Sequence, residues 1–180
     1  DSITIPNTVI NCYDMFYSCS NFNQPITIPE NVENISYMFE YTAFNSKFEI
    51  KNGNVPIDCN QLITWQIAQN FDAPIILGNR VNNCAYLISS SAPNFNSPVT
   101  LYGGTNFSYA FSSCNNFNQP LNFPDSVTNI YGIIQYCNNY NSNIVLGNGI
   151  DNIYYLLSNK QKFNKKIILG SNITNCYYNR

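Results

Sequence analysis

Short triplets of apolar, variable and apolar residues recur along the chain. They read Ile3-Thr4-Ile5, Ile26-Thr27-Ile28, Phe48-Glu49-Ile50, Ile75-Ile76-Leu77, Val99-Thr100-Leu101, Leu121-Asn122-Phe123, Ile144-Val145-Leu146 and Ile167-Ile168-Leu169. Alternation with a period of two predicts a short strand with one buried face. Pro6, Pro29, Gly78, Pro124, Gly147 and Gly170 then break the strand. A second extended piece follows, typified by Val32-Glu33-Asn34-Ile35, with Val and Ile inward. A bulky pair such as Met38-Phe39 or Leu87-Ile88 predicts a short helical turn, and Asn, Ser and Cys return the chain to the next unit.

Each unit opens on an aromatic anchor. The anchors are Phe22-Asn23, Phe44-Asn45, Phe71-Asp72, Phe95-Asn96, Phe117-Asn118, Tyr140-Asn141 and Phe163-Asn164, spaced by 22, 27, 24, 22, 23 and 23 residues. No unit is long enough to close a core alone, so the units must stack and share a continuous one. The sequence therefore predicts a mainly β repeat solenoid with short parallel strands and short helical turns, about 22–23 residues per repeat. Residues 1–180 form a single array of about seven and a half repeats. Both ends fall inside a repeat, so a piece of a longer chain is expected. The unit from Phe44 to Asn70 is long, with extra residues near Lys51-Asn52-Gly53-Asn54 and the only Trp, Trp65.

Composition now takes on a meaning. The chain holds 33 Asn, and only 10% of its residues are charged. Asn23, Asn45, Asn96, Asn118, Asn141 and Asn164 share one column of the repeat. Asn11, Asn34, Asn83, Asn106, Asn129, Asn152 and Asn175 share another. Asn tolerates left-handed backbone and bonds nearby main chain, so the columns read as structural side-chain ladders. Cys12, Cys84 and Cys176 occupy the inward place of Ile35, and Cys19, Cys114 and Cys137 lie three residues before an anchor. Cys59 falls in the long unit. Cys thus reads as a small buried hydrophobe and as free thiol.

The search for chemistry excludes more than it finds. His is absent, which removes His-based triads and His metal sites. No phosphate-binding glycine loop, nucleophile elbow or zinc-type Cys pair occurs, and the carboxylates are scattered. No enzyme, cofactor or metal is expected. A net charge of −2 gives no general pull toward nucleic acid, and no apolar run approaches the length of a membrane span.

The string Ile26-Thr27-Ile28-Pro29, then Val32, Ile35 and Met38-Phe39, resembles the BspA-type leucine-rich repeat. Met15-Phe16, Phe22-Asn23-Gln24 and Phe117-Asn118-Gln119 are similar to repeats of mycoplasma surface lipoproteins. The likeness spans the chain, although Phe stands where Leu is usual. It implies a right-handed solenoid and an extracellular or cell-surface adhesion module for protein or glycan on a host surface. Similar arrays occur in phage virions, so a structural or host-recognition part of a tail or fibre is the alternative.

Three surfaces are candidates for contact. The middle residues of the strands form an outward row of Thr27, Glu49, Ile76, Thr100, Asn122, Val145 and Ile168, with Thr4 ahead of it. Tyr13, Tyr37, Tyr86, Tyr109, Tyr131, Tyr154, Tyr155, Tyr177 and Tyr178 cluster at neighbouring repeat positions. Charge is also polarised. Acids crowd the first fifty residues, whereas Lys160, Lys162, Lys165, Lys166 and Arg180 crowd the last turn. That predicts end-to-end self-association or contact with neighbouring subunits.

Overall fold

The computed structural model describes residues 3–64, 69–89 and 92–177. Trp65, Tyr178 and Arg180, named above, lie outside them. The described chain winds as a β-solenoid of short parallel strands. One lateral sheet joins β1 (Ile26–Ile28), β2 (Phe48–Ile50), β5 (Ile75–Leu77) and β8 (Val99–Leu101). A second continues the same column with β9 (Leu121–Asn122), β10 (Ile144–Val145) and β11 (Ile167–Ile168). Every pairing aligns equivalent triplet positions, as in Ile26 on Phe48 on Ile75 on Val99. The long coil adds β3 (Ile57–Asp58) paired with β6 (Val81–Asn83), and β4 (Ile63–Thr64) paired with β7 (Ile88–Ser89).

Three local expectations change. Ile3–Ile5 is not a strand. The second extended piece is reduced elsewhere to single parallel bridges between column asparagines, such as Asn11 to Asn34 and Asn83 to Asn106. The Met38-Phe39 pair lies on tandem turns, Leu87-Ile88 runs from a turn into β7, and the described residues contain no helix.

The core is one continuous cluster from Ile5 to Leu156. Its spine is the anchor column. Phe22, Phe44, Phe71, Phe95, Phe117, Tyr140 and Phe163 stack ring over ring, with centroids 5.3–6.4 Å apart. Met38, Phe39, Ile133 and Ile134 are fully buried beside it. Burying one such side chain is worth about 1.5–3 kcal/mol. A parallel ladder supplies the register, because a one-coil stack leaves no room for sliding without exposing the apolar set.

The asparagines next to the anchors tie the coils together. The Asn23 side-chain oxygen accepts the Asn45 N–H at 2.7 Å, and Asn45 accepts that of Asp72 at 2.8 Å. The pattern repeats through Asp72, Asn96, Asn118 and Asn141 to the Asn164 N–H. The ladder is therefore side chain to main chain. Only the acceptor oxygen is used, which explains why Asp72 fits a column of Asn.

The long coil is anchored by a residue the sequence reading passed over. Arg80 is only 5% exposed. Its guanidinium donates to the carbonyls of Lys51, Val32, Val55 and Pro29, at 3.1, 2.6, 2.9 and 2.6 Å. One side chain thus closes the extra residues of the long coil onto two neighbours. Burial lowers its pKa, with Glu30 opposing the shift. The coil after it is one residue short. Gly104 stands where Val32 stands in its own coil, at φ +118°. A Cβ there would lie 2.5 Å from the Phe107 ring. The larger Phe107, in the Ile35 position, fills the volume the missing valine vacates.

The free-thiol expectation fails at one pair. Cys59 and Cys84 form a disulfide between neighbouring coils, with Cα atoms 5.0 Å apart. Equivalent positions in adjacent coils lie inside the disulfide range, so parallel stacking does not prevent bonding. Cys12, Cys114 and Cys137 are free and buried, as expected, whereas Cys19 and Cys176 are exposed.

Candidate recognition surface

Six of the seven members of the second Asn column build a turn within their own coil. The side-chain oxygen accepts the N–H two residues on. This holds for Asn11 to Tyr13, Asn34 to Ser36, Asn83 to Ala85, Asn106 to Ser108, Asn129 to Tyr131 and Asn175 to Tyr177, at 2.9–3.2 Å. Asp58 does the same for Asn60 in the long coil. These are Asx turns. A cross-coil amide ladder appears between Asn106 and Asn83, at 3.0 Å.

Among the described residues, the one three beyond a column member has left-handed backbone. Asp14, Tyr37, Gln61, Tyr86, Tyr109 and Tyr155 have φ between 50° and 58°, and Gly132 takes the same place at 58°. The sequence reading assigned that conformation to Asn. Tyrosine adopts it at a cost of about 1–2 kcal/mol. The cost is offset by the coil above: Tyr109 donates its N–H to the Tyr131 carbonyl at 2.8 Å, and Tyr86 donates to Ser108 at 3.0 Å.

This turn pushes tyrosines out of the frame at two adjacent positions. Tyr86, Tyr109, Tyr131, Tyr154, Tyr155 and Tyr177 form a continuous ribbon. Its centroid separations are 5.0 Å (86 to 109), 5.3 Å (109 to 131), 5.4 Å (131 to 155), and 6.2 Å for both 131 to 154 and 154 to 177. Tyr13 and Tyr37 make a separate pair at 5.7 Å. Tyr86 is 41% exposed and Tyr177 58%, while the rings between them are half-buried against one another. Burial and the Tyr131 hydroxyl push the Tyr109 phenol up to about 12. The Tyr109 hydroxyl therefore stays protonated at physiological pH.

The outward strand row has the expected register. Thr27 lies beside Glu49, Glu49 beside Ile76 and Ile76 beside Thr100; Asn122, Val145 and Ile168 align in the second sheet. Thr27, Thr100, Asn122 and Ile168 are exposed, whereas Glu49, Ile76 and Val145 are half-covered. Glu49 is held by Lys47 at 2.9 Å. Of the candidate end contacts, Lys162, Lys165 and Lys166 are exposed. Lys160 is not. It takes the buried place of Cys114 and Cys137, donates to the Ser158 carbonyl at 3.2 Å, and has its pKa lowered by burial.

Among the described residues, no group of three or more His, Cys, Asp or Glu is placed to hold a metal ion. No helix is long and apolar enough to cross a membrane. No curated protein and no solved structure shows significant similarity to the chain. A family model does match, over residues 6–76 and 79–172. Those two segments take in the described strands except for Leu77 of β5, the anchor stack from Phe22 to Phe163 and the tyrosine ribbon as far as Tyr155, so the chain belongs to the family described as Mycoplasma protein of unknown function, DUF285.

Proposed function

We propose that the chain is a non-enzymatic recognition module at a cell surface, binding protein or glycan through a lateral face of the solenoid. The tyrosine ribbon carries this reading. Tyr offers a large, amphipathic contact area with few rotatable bonds. Here neighbouring rings already hold one another, so little ordering entropy remains to be lost on binding. The strand row is a weaker platform, with three of its seven members half-covered. The Cys59–Cys84 disulfide supports an extracellular setting, since such bonds persist in oxidising compartments. The likeness of the repeat to BspA-type arrays supports the same reading.

The test is binding of the chain to intact host cells and to immobilised glycans. The comparison is a variant carrying Tyr86→Ser, Tyr131→Ser and Tyr154→Ser. Serine already adopts the left-handed turn at Ser18 and Ser113, so the frame tolerates it at Tyr86. Loss of at least tenfold in affinity is expected. Equal binding by the variant contradicts the ribbon reading, and a wild-type chain that binds neither cells nor glycans contradicts the function.

A further inference from the structure

The two irregular coils create a cleft that the regular repeat lacks. Its lining draws on the insertion at Gly53-Asn54 and on the shortened coil at Gly104-Thr105. Between them lies an open cleft of about 330 Å³, at the small end of ligand pockets and sized for one sugar ring. Its polar lining is Asn54, Asn79, Arg80, Asn82, Thr105 and Ser126, and it contains no carboxylate.

The internal hydrogen bonds decide what this lining offers. The Asn79 side-chain oxygen is taken by the Gly53 N–H at 3.0 Å. The Thr105 hydroxyl donates to the Asn82 main-chain carbonyl and lies 3.1 Å from the Asn82 side-chain oxygen. Both amide oxygens thus face protein donors, and neither amide nitrogen has a protein acceptor among the described residues. Arg80 forms the base of the cleft. It donates four hydrogen bonds to neutral carbonyls and forms no ion pair among the described residues. Glu30, the acid whose charge reaches it, is exposed. The site therefore presents two free amide donors over an unneutralised, poorly solvated positive charge. Such a set favours an oxyanion.

We propose that this cleft binds an acidic sugar unit, through a carboxylate or sulfate group seated on Asn79, Asn82 and the Arg80 edge. The sugar ring would rest on the Pro56 and Val81 side of the lining. This deepens the recognition reading by naming a glycan class, but it does not depend on the ribbon.

The experiment is an NMR or calorimetric titration of the folded chain. The probes are methyl glucuronide, glucose 6-sulfate, methyl glucoside and inorganic sulfate. The expected result is binding of one or both acidic sugars with Kd on the order of 1 mM, at least tenfold tighter than methyl glucoside and inorganic sulfate. Which acidic sugar binds assigns carboxylate or sulfate. Arg80 variants would weaken the long coil as well as the site, so the controls are rim changes, Asn82→Leu and Ser126→Leu, each of which should weaken binding at least fivefold. The ribbon variant should bind the acidic sugar like the wild type, so failure of the cleft and failure of the ribbon are separable. Equal affinity for acidic and neutral sugars overturns the proposal. So does sulfate binding as tightly as either acidic sugar, rim variants that bind normally, or no binding by any probe.

Discussion

At the scale of single residues, one side-chain oxygen does the work that the Asn-rich composition announces. In the anchor column it accepts the main-chain N–H of the next coil, as Asn118 does for Asn141 at 2.7 Å. In the turn column it accepts an N–H in its own coil. Neither task uses the amide nitrogen, so Asp72 and Asp58 serve as well. Asn118→Asp should change stability by less than about 0.5 kcal/mol, whereas Asn118→Leu should cost about 1–2 kcal/mol through the orphaned N–H. Urea midpoints of the two variants check this. Arg80 has the opposite character, since four carbonyls depend on one guanidinium. Arg80→Met should cost on the order of 3–5 kcal/mol, read from the same denaturation curve. The columns were legible from spacing alone. Arg80 was not, because it occurs in one coil only and its acceptors are main-chain carbonyls, which carry no sequence signature.

At the scale of elements, the strand triplets were legible because their alternation is local. The turns were not. The Met38-Phe39 segment has apolar spacing compatible with a helical turn, and the left-handed residues on either side of it, Tyr37 and Tyr41, follow carbonyls of Ser36 and Glu40 that accept N–H groups of the neighbouring coil. The disulfide was hidden for a similar reason, since the coil-to-coil offset of Cys59 depends on the insertion. The buried turn that ends each coil also makes a pH prediction. Burial raises the thiols of Cys114 and Cys137 from the ordinary 9.0, the latter to about 12, and raises the Tyr140 phenol. These groups bind protons more tightly folded than unfolded. Their stabilisation is complete below pH 9 and is lost as pH rises above it. Lys160, whose pKa is lowered, works in the other direction and offsets part of the loss. The urea midpoint should therefore fall as pH rises from about 9 toward 12. The fall should be shallower in Cys114→Ala/Cys137→Ala, since Ala92 already fills the equivalent place.

At the scale of the whole molecule, the frame and the faces are separate. Stacked anchors, the Asn ladder and parallel strands fix the frame, which leaves the outward positions free to carry a surface. The disulfide reinforces the frame where it is least regular. Closing a loop of 25 residues, it should contribute about 3–4 kcal/mol, measured as the loss of stability on reduction. The tyrosine ribbon was visible in the sequence as a cluster. Its continuity was not, because Tyr131 reaches both Tyr154 and Tyr155 while Gly132 leaves a gap that Tyr109 covers. The central claim is that this ribbon is the contact surface. Its most direct test is ¹⁹F NMR of the 3-fluorotyrosine-labelled chain, titrated with a bound cell-surface protein or glycan. Tyr102 and Tyr136 serve as internal controls, being exposed but outside the ribbon. The account predicts that the resonances of Tyr86, Tyr109, Tyr131 and Tyr154 shift while those of the controls do not. Shifts confined to Tyr102 and Tyr136, or no tyrosine shift at saturation, would contradict it.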